Sequence, residues 1–211
     1  MRILAFSDVH APRYLHLLKT SLSKTTLESI SVVLIAGDIV EKGDYRMCAP
    51  VEKLIRAYLP DVPIIAVFGN EDYPEIHDKL KDECSGIIWL DDDYIEIGSE
   101  KQLAVIGTTG VLDRPTRWQT RNVPQIREIY TERLNKISNL ISKISNNNMK
   151  LLLTHYPPRC RTLVGEREEF WEEMSSRKLT ELLQSKPVDV VIHGHLHESR
   201  VYRDIIGNTP V

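Results

Sequence analysis

Five short apolar runs in this sequence each lead into residues that can bind a divalent metal ion. The runs are MRILAF, VVLIA, VPIIAVF, KLLLT and VDVVIH. The residues that follow or close them are Asp8, His10, Asp38, Asn70, His155, His195 and His197. Carboxylate oxygen, amide oxygen and imidazole nitrogen together suit Mn²⁺, Fe, Zn²⁺ or Ni²⁺ better than Ca²⁺, which prefers oxygen alone. The residue types therefore indicate metal-assisted chemistry.

Each of these runs predicts a buried strand. A Val-, Ile- and Leu-rich run of this length, closed by glycine or a polar cluster, is typical of a strand inside a sheet. In open α/β sheets, ligands bind beyond the carboxyl ends of the strands. We therefore expect the seven donor residues to converge on one rim of the fold, although a single Gly-Asp or a lone histidine is more often a turn or a packed side chain.

The remaining pattern predicts an α/β fold in which two sheets pack face to face, a two-sheet β sandwich flanked by helices. Helices are expected over residues 45–59, 74–83, 124–144 and 166–184. Three strand-like segments with no helix between them, GIIWL, YIEIG and QLAVIGT, predict a second, antiparallel-rich sheet packed on the first. The turn between the first two is expected at residues 91–93, and a last strand is expected near residues 201–206.

The polar strings resemble the motifs of the calcineurin-like metallophosphoesterase superfamily, which reads DxH, GD, GN, a lone His and GHxH in that order. Here these strings are Asp8-Val9-His10, Gly37-Asp38, Gly69-Asn70, His155 and Gly194-His195-Leu196-His197. The resemblance implies one metallophosphoesterase domain over residues 1–211 with four layers, α-β-β-α. It also implies two divalent metal ions, with Mn²⁺ favoured, bridged by Asp38. Asp8, His10 and His197 would complete one metal site, and Asn70, His155 and His195 would complete the other.

The activity that the resemblance implies is metal-dependent hydrolysis of phosphate esters. A hydroxide held between two metal ions would attack phosphorus in line, with small phosphodiesters favoured as substrates and monoesters as a further class. One alternative is a nuclease that acts on a polymer at the same site. The other is an inactive scaffold with the same fold, which the intact set of seven donors disfavours.

The string Gly69-Asn70-Glu71-Asp72 departs from the family pattern, because many members have a histidine after the asparagine. That histidine is their proposed general acid. Glu71 could replace it if burial or Asp72 kept its carboxyl protonated, whereas nearby metal ions would hold it ionised. The alternative is that Glu71 or Asp72 orients ligands or water. His77, on a predicted helix, is interpreted as a surface residue.

Arginines between residues 113 and 133 are candidates for binding the substrate. We favour Arg114 and Arg117 as clamps on phosphate oxygens, because a loop after a strand end could overhang the metal rim. Trp118, directly after Arg117, could stack a nucleobase. Arg159 and Arg161, just after His155, are a second phosphate-contact candidate. The other interpretation of the whole stretch is a solvated surface.

Composition limits the partners and the location. The chain has 211 residues with a net charge of −3, so its surface as a whole gives no general attraction for nucleic acid. Three isolated cysteines, no signal peptide and no membrane-spanning run predict a soluble cytoplasmic protein without a membrane partner. If a strand of the family fold is missing at the C-terminus, an exposed sheet edge would allow a homodimer.

Overall fold

The first sheet of the protein is wholly parallel and carries three helices. The computed structural model describes residues 1–98 and 102–211. The strands lie side by side in the order β1 (Arg2–Phe6), β2 (Ile30–Ala36), β3 (Ile64–Val67) and β4 (Ile87–Leu90). The connecting helices are α1 (Leu15–Lys24), α2 (Cys48–Tyr58) and α3 (His77–Glu83), the last two each preceded by a 3₁₀ turn. Because all four strands are parallel, their carboxyl ends meet at one edge.

The second sheet is mixed. Its order is β5 (Asp93–Ile97), β6 (Leu103–Thr108), β7 (Met149–Thr154) and β8 (Val190–His193). Only β5 and β6 are antiparallel, and β6, β7 and β8 run parallel. Its helices are α4 (Arg117–Asn122), α5 (Ile126–Lys143) and α6 (Arg177–Ser185). A separate antiparallel pair, β9 (Ile205–Ile206) and β10 (Thr209–Pro210), follows.

Side chains of the central strands alternate between two faces that are both covered, which explains why these strands are apolar throughout. On β2, Val33 and Ile35 belong to the core cluster shared with the first set of helices. Their neighbours Val32 and Leu34 belong to a second cluster, which also contains Leu151 of β7. A strand with both faces covered reads as a continuous hydrophobic run. The layers are therefore helix, sheet, sheet and helix, as expected from the sequence.

Several predicted details were wrong. The segment GIIWL forms β4, which extends the first sheet beside β3, so the second sheet is mainly parallel. The helix expected over 166–184 is a 3₁₀ segment, Glu168–Glu173, followed by α6. The strand expected over 201–206 is limited to β9. The pattern of apolar residues in the sequence predicts that a segment is a strand, but long-range packing decides which strand an edge strand pairs with.

The expectation of isolated cysteines was also wrong. Cys48, at the start of α2, and Cys84, just after α3, form a disulfide although they are 36 residues apart. Both residues are fully buried, and their Cα atoms lie 6.0 Å apart. Cys160 is free. Among the described residues, no helix is both long enough and apolar enough to cross a membrane.

Candidate metal centre

The donor residues lie on turns that follow the carboxyl ends of five strands, and the turns are tied to one another. The N–H of Asp8, after β1, donates to the carbonyl of Gly37, after β2, at 3.1 Å. The N–H of Gly194, after β8, donates to the carbonyl of His155, after β7, at 3.2 Å. A third bond crosses between the sheets, because the N–H of His195 donates to Asp8 Oδ2 at 2.9 Å. The two sheets therefore meet at this rim.

Four of the candidate ligands have a backbone that non-glycine residues rarely adopt. The φ angles are 55° at Asp8, 40° at His10, 52° at Asp38 and 73° at His195. A positive φ costs about 1 kcal/mol or more for such residues, and strain of this kind concentrates at functional sites. Eight non-glycine residues have a positive φ in the described part of the chain, and half of them are these candidates. The turns are shaped to aim their side chains inward.

Asp8, His10 and His197 form the first group of donors. His10 Nε2 lies 3.7 Å from Asp8 Oδ1, and His197 Nε2 lies 3.5 Å from the same oxygen. One ligand atom from each residue falls within 4.8 Å of the other two, which is the spacing of atoms that share one ion. His197 is the exposed member of the group, so this side of the centre opens to solvent.

Asp38 lies between the first group and a second one. Its Oδ2 atom is 3.6 Å from His10 Nε2 and also 3.6 Å from His155 Nε2. His155 Nε2 is in turn 3.0 Å from Asn70 Oδ1. Asp38 is almost fully buried at 1% exposure. One carboxylate oxygen placed equally close to donors of both groups has the geometry of a bridging ligand.

Unpartnered polar atoms show that these residues fit a cation. Asp8 Oδ1 and His10 Nε2 are buried and have no hydrogen-bond partner among the described residues, which normally costs about 1–3 kcal/mol for each buried polar group. His155 Nδ1 contacts the carbonyl of Ala36 at 2.9 Å, so Nδ1 carries the proton and Nε2 presents a lone pair. That lone pair faces the oxygens of Asn70 and Asp38. Hydrogen-bond acceptors that face one another repel, and a positive ion between them would stabilise the arrangement.

The ionisation of two donors, Asp8 and His195, agrees with this arrangement. Burial raises the pKa of Asp8, but its contacts with His10 and His197 outweigh burial and hold the pKa well below its usual range. Burial lowers the pKa of His195 far below the ordinary histidine value, and the neighbouring His155 adds to the effect. An ionised carboxylate and a neutral imidazole are the forms that bind metal ions.

His195 is placed at the centre by contacts of its ring with two neighbouring rings. Its ring centroid lies 4.9 Å from that of His155 and 4.9 Å from that of Tyr156, which meets it edge-on. Tyr156 was not singled out from the sequence, although its position directly after His155 is a usable signal. The adjacent His193 points elsewhere, because its Nε2 contacts Thr162 Oγ1 at 3.1 Å.

Two glycines permit the close approach of the turns. Gly37 has a φ of 87°, and a Cβ atom there would lie 2.6 Å from His155 Nδ1. At Gly69 a Cβ atom would overlap the carboxylate of Asp38. A side chain at either position would displace a candidate ligand.

Asp72 is a structural anchor at the edge of the centre. It is fully buried, and its carboxylate accepts N–H groups from Gly69 at 2.9 Å, Val40 at 3.2 Å and Ile39 at 3.3 Å. These bonds join the turn after β2 to the turn after β3. His77 Nε2 lies 2.8 Å from the carbonyl of Asp72, and its ring stacks on Phe68. His77 is therefore a half-buried packing residue and not the surface residue expected.

Glu71 lies beside the candidate bridging carboxylate through its backbone. Its N–H donates to Asp38 Oδ1 at 2.7 Å. Its side chain points the other way along the rim, where Oε2 accepts the N–H of Lys42 at 2.7 Å. The carboxylate therefore acts as an acceptor in this structure, and the residue is partly exposed.

The arginine candidates differ in what they contact. Arg114 is paired with Glu172 at 2.9 Å and Glu173 at 3.1 Å, so carboxylates already occupy its guanidinium. Arg159 is likewise held, by Asp113 at 3.1 Å. Arg117 is exposed at the start of α4, and its guanidinium makes no hydrogen bond or ion pair with the residues that the structure describes. Of the three, Arg117 retains free donors.

The comparison with protein families identifies the chain. The model for calcineurin-like phosphoesterases matches residues 1–199, which include every candidate ligand. This protein belongs to the calcineurin-like phosphoesterase family. It is accordingly a hydrolase that acts on ester bonds, with residues suited to divalent metal ions at its strand ends.

A solved structure at low sequence identity shares the fold, and another is reported for comparison. The phosphopantetheinyl hydrolase PptH from Mycobacterium tuberculosis is 15% identical with a TM-score of 0.70, over 99% of this chain and 86% of that one. The sulfate thiohydrolase SoxB from Thermus thermophilus is 14% identical with a TM-score of 0.48, over 93% of this chain and 35% of that one. None of the curated proteins compared with this chain matches it.

Proposed function

We propose that this phosphoesterase hydrolyses small phosphodiesters at a centre of two divalent metal ions. The observation that carries the proposal is the position of Asp38 Oδ2, 3.6 Å from a histidine of each donor group. Asp8, His10 and His197 would hold one ion, and Asn70, His155 and His195 the other, with Asp38 shared. Bound ions of this kind supply Lewis acidity and lower the pKa of a coordinated water.

The protein's own residues favour a diester over a monoester. A phosphodiester carries one negative charge near neutral pH, whereas a monoester carries close to two. The carboxylate of Glu71, which accepts the backbone N–H of Lys42, places negative charge at the rim. A dianion would be repelled more strongly by this charge than a monoanion. Monoesters remain the second substrate class.

The same contact makes Glu71 a poor general acid. A carboxyl group that donates a proton to the leaving oxygen must first carry that proton, and Glu71 is bonded as an acceptor. Asp72 is buried, and its oxygens are engaged by three backbone N–H groups. We infer that neither residue protonates the leaving group, so substrates with good leaving groups are turned over fastest.

Manganese as the native ion, a homodimer and a cytoplasmic location stay predictions. Isolated cysteines would have supported a reducing compartment. The Cys48–Cys84 disulfide takes that support away, because disulfides are typical of oxidising compartments. A polymeric substrate is the alternative for the same centre. For a polymeric nucleic-acid substrate, the logarithm of the binding constant would fall linearly with the logarithm of the salt concentration.

The test is an assay of chelator-treated protein reloaded with Mn²⁺, on bis(p-nitrophenyl) phosphate and p-nitrophenyl phosphate in parallel. We expect faster turnover of the diester, and a loss of more than about 100-fold in Asp38→Ala, because even residues behind metal ligands cost 10–100-fold. Asp78→Ala, at a fully exposed side chain, is the matched control. Faster turnover of the monoester would make the protein a phosphatase. No turnover together with no retained metal would favour an inactive scaffold.

A further inference from the structure

Helix α4 lies beside the part of the centre formed by the second donor group. On one side, the ring of Trp118 lies 6.1 Å from that of Tyr73, which is three residues after Asn70. On the other side, Gln119 Nε2 donates to the hydroxyl of Tyr156 at 3.1 Å, and Tyr156 meets the ring of His195. Two separate contacts therefore fix α4 over the rim.

The helix is short but firmly held. Thr116 and Gln119 form a reciprocal capping box, with the Gln119 N–H bonded to Thr116 Oγ1 at 3.2 Å and the Thr116 N–H bonded to Gln119 Oε1 at 2.9 Å. The hydroxyl of Tyr130, on α5, donates to the same Gln119 oxygen at 3.1 Å. A six-residue helix has little stability of its own, so these bonds determine where Trp118 is placed.

Tyr73 gives Trp118 a fixed support. Its ring packs against Gly43, where an added Cβ would lie 2.8 Å from Tyr73 Cδ2. The N–H of Gly43 donates to the carbonyl of Glu71 at 3.0 Å, which keeps this segment at the rim. The ring planes of Tyr73 and Trp118 differ by only 19°.

Trp118 does not serve the hydrophobic core. It is 53% exposed, and α4 contributes no buried residue. A large aromatic surface that is held in place yet left open to solvent beside a reaction centre is suited to contact a ligand ring. The exposed guanidinium of Arg117 precedes it directly in the chain.

We infer that Trp118, supported by Tyr73, stacks a planar ring carried by the substrate next to its phosphodiester. This inference rests on the proposed function and narrows it to esters of aryl or nucleobase-bearing alcohols. Trp118 acts as a specificity residue that contacts the substrate, and Tyr73 acts as its positioning residue.

The test compares two monoanions that differ by one ring, methyl phenylphosphonate and methyl methylphosphonate. Their affinities for the Mn²⁺-loaded protein are measured by isothermal titration calorimetry. We expect the phenyl compound to bind about 5- to 150-fold more tightly, the range that stacking of one base on one aromatic side chain gives. Trp118→Ala should abolish this preference and leave the methyl compound unaffected, whereas Trp118→Phe should keep most of it.

The control is Phe170→Ala, which removes another partly exposed aromatic ring, at 40% exposure, in the 3₁₀ segment Glu168–Glu173. An unchanged preference in Trp118→Ala, or equal weakening of both ligands, would overturn the inference. Turnover of bis(p-nitrophenyl) phosphate is followed separately. A protein that binds the phenyl compound preferentially but does not hydrolyse the diester contradicts the proposed function and not the stacking.

Discussion

The carboxylate of Asp72 ties the turn after β2 to the turn after β3, so its removal should reduce stability before it affects chemistry. Asp72→Ala leaves three buried N–H groups, of Ile39, Val40 and Gly69, without their acceptor. Each such group costs about 1–3 kcal/mol. Burial and the charge of Asp38 raise the pKa of Asp72 to about 7, which shows that the native carboxylate is itself costly to bury. The net loss should therefore be about 3–5 kcal/mol.

The assay is urea unfolding of the metal-free protein, because bound metal ions would add stabilisation of their own. With an m-value of about 2–3 kcal/mol/M, the midpoint of Asp72→Ala should fall by roughly 1–2 M. Asp72→Asn keeps the shape of the side chain but turns an amide donor toward backbone donors, so we expect an intermediate loss. Asp78→Ala, at a fully exposed side chain, should stay within about 0.5 kcal/mol of wild type.

The kinetics of Asp72→Asn distinguish an anchor from a general acid. Measured on the folded fraction, kcat should stay within about tenfold of wild type, because the side chain is fully buried and bonded to backbone N–H groups. Loss of a general acid would instead lower kcat by about 10²–10⁴-fold. A loss of that size with an unchanged unfolding midpoint would refute the assignment of Asp72 as an anchor.

Three further predictions concern the metal ions and the substrate. Arg117→Ala should raise KM for the diester by about tenfold, whereas Arg114→Ala, already paired with carboxylates, should leave it unchanged; equal effects in steady-state kinetics would contradict this. Mn²⁺ at 100 times its Kd should stabilise the chelated protein by about 2.7 kcal/mol in thermal unfolding, and Asp38→Ala should lose this gain. Glu71→Gln should favour the monoester relative to the diester; a 100-fold loss of diester turnover would show that Glu71 is the acid after all.

The sequence determined the strands of the centre and the residues at their ends. An apolar run such as that of β2, Val32 to Ala36, is stable only with both faces buried, which predicts a covered sheet. The carboxyl ends of parallel strands gather on one edge, so Asp8, Asp38 and Asn70 were bound to be neighbours once β1, β2 and β3 paired in parallel. These inferences need only local pattern and the geometry of a parallel sheet.

Long-range packing decided the rest. No local signal distinguishes Arg114, which pairs with a segment nearly sixty residues away, from Arg117, whose side chain has no such partner among the described residues. Asp72 reads as a plausible acid until burial and three backbone donors make it an anchor. Cys48 and Cys84 meet only because α2 and α3 pack side by side on one sheet. The fate of each polar side chain depends on partners distant in the chain, and only the folded chain brings those partners together.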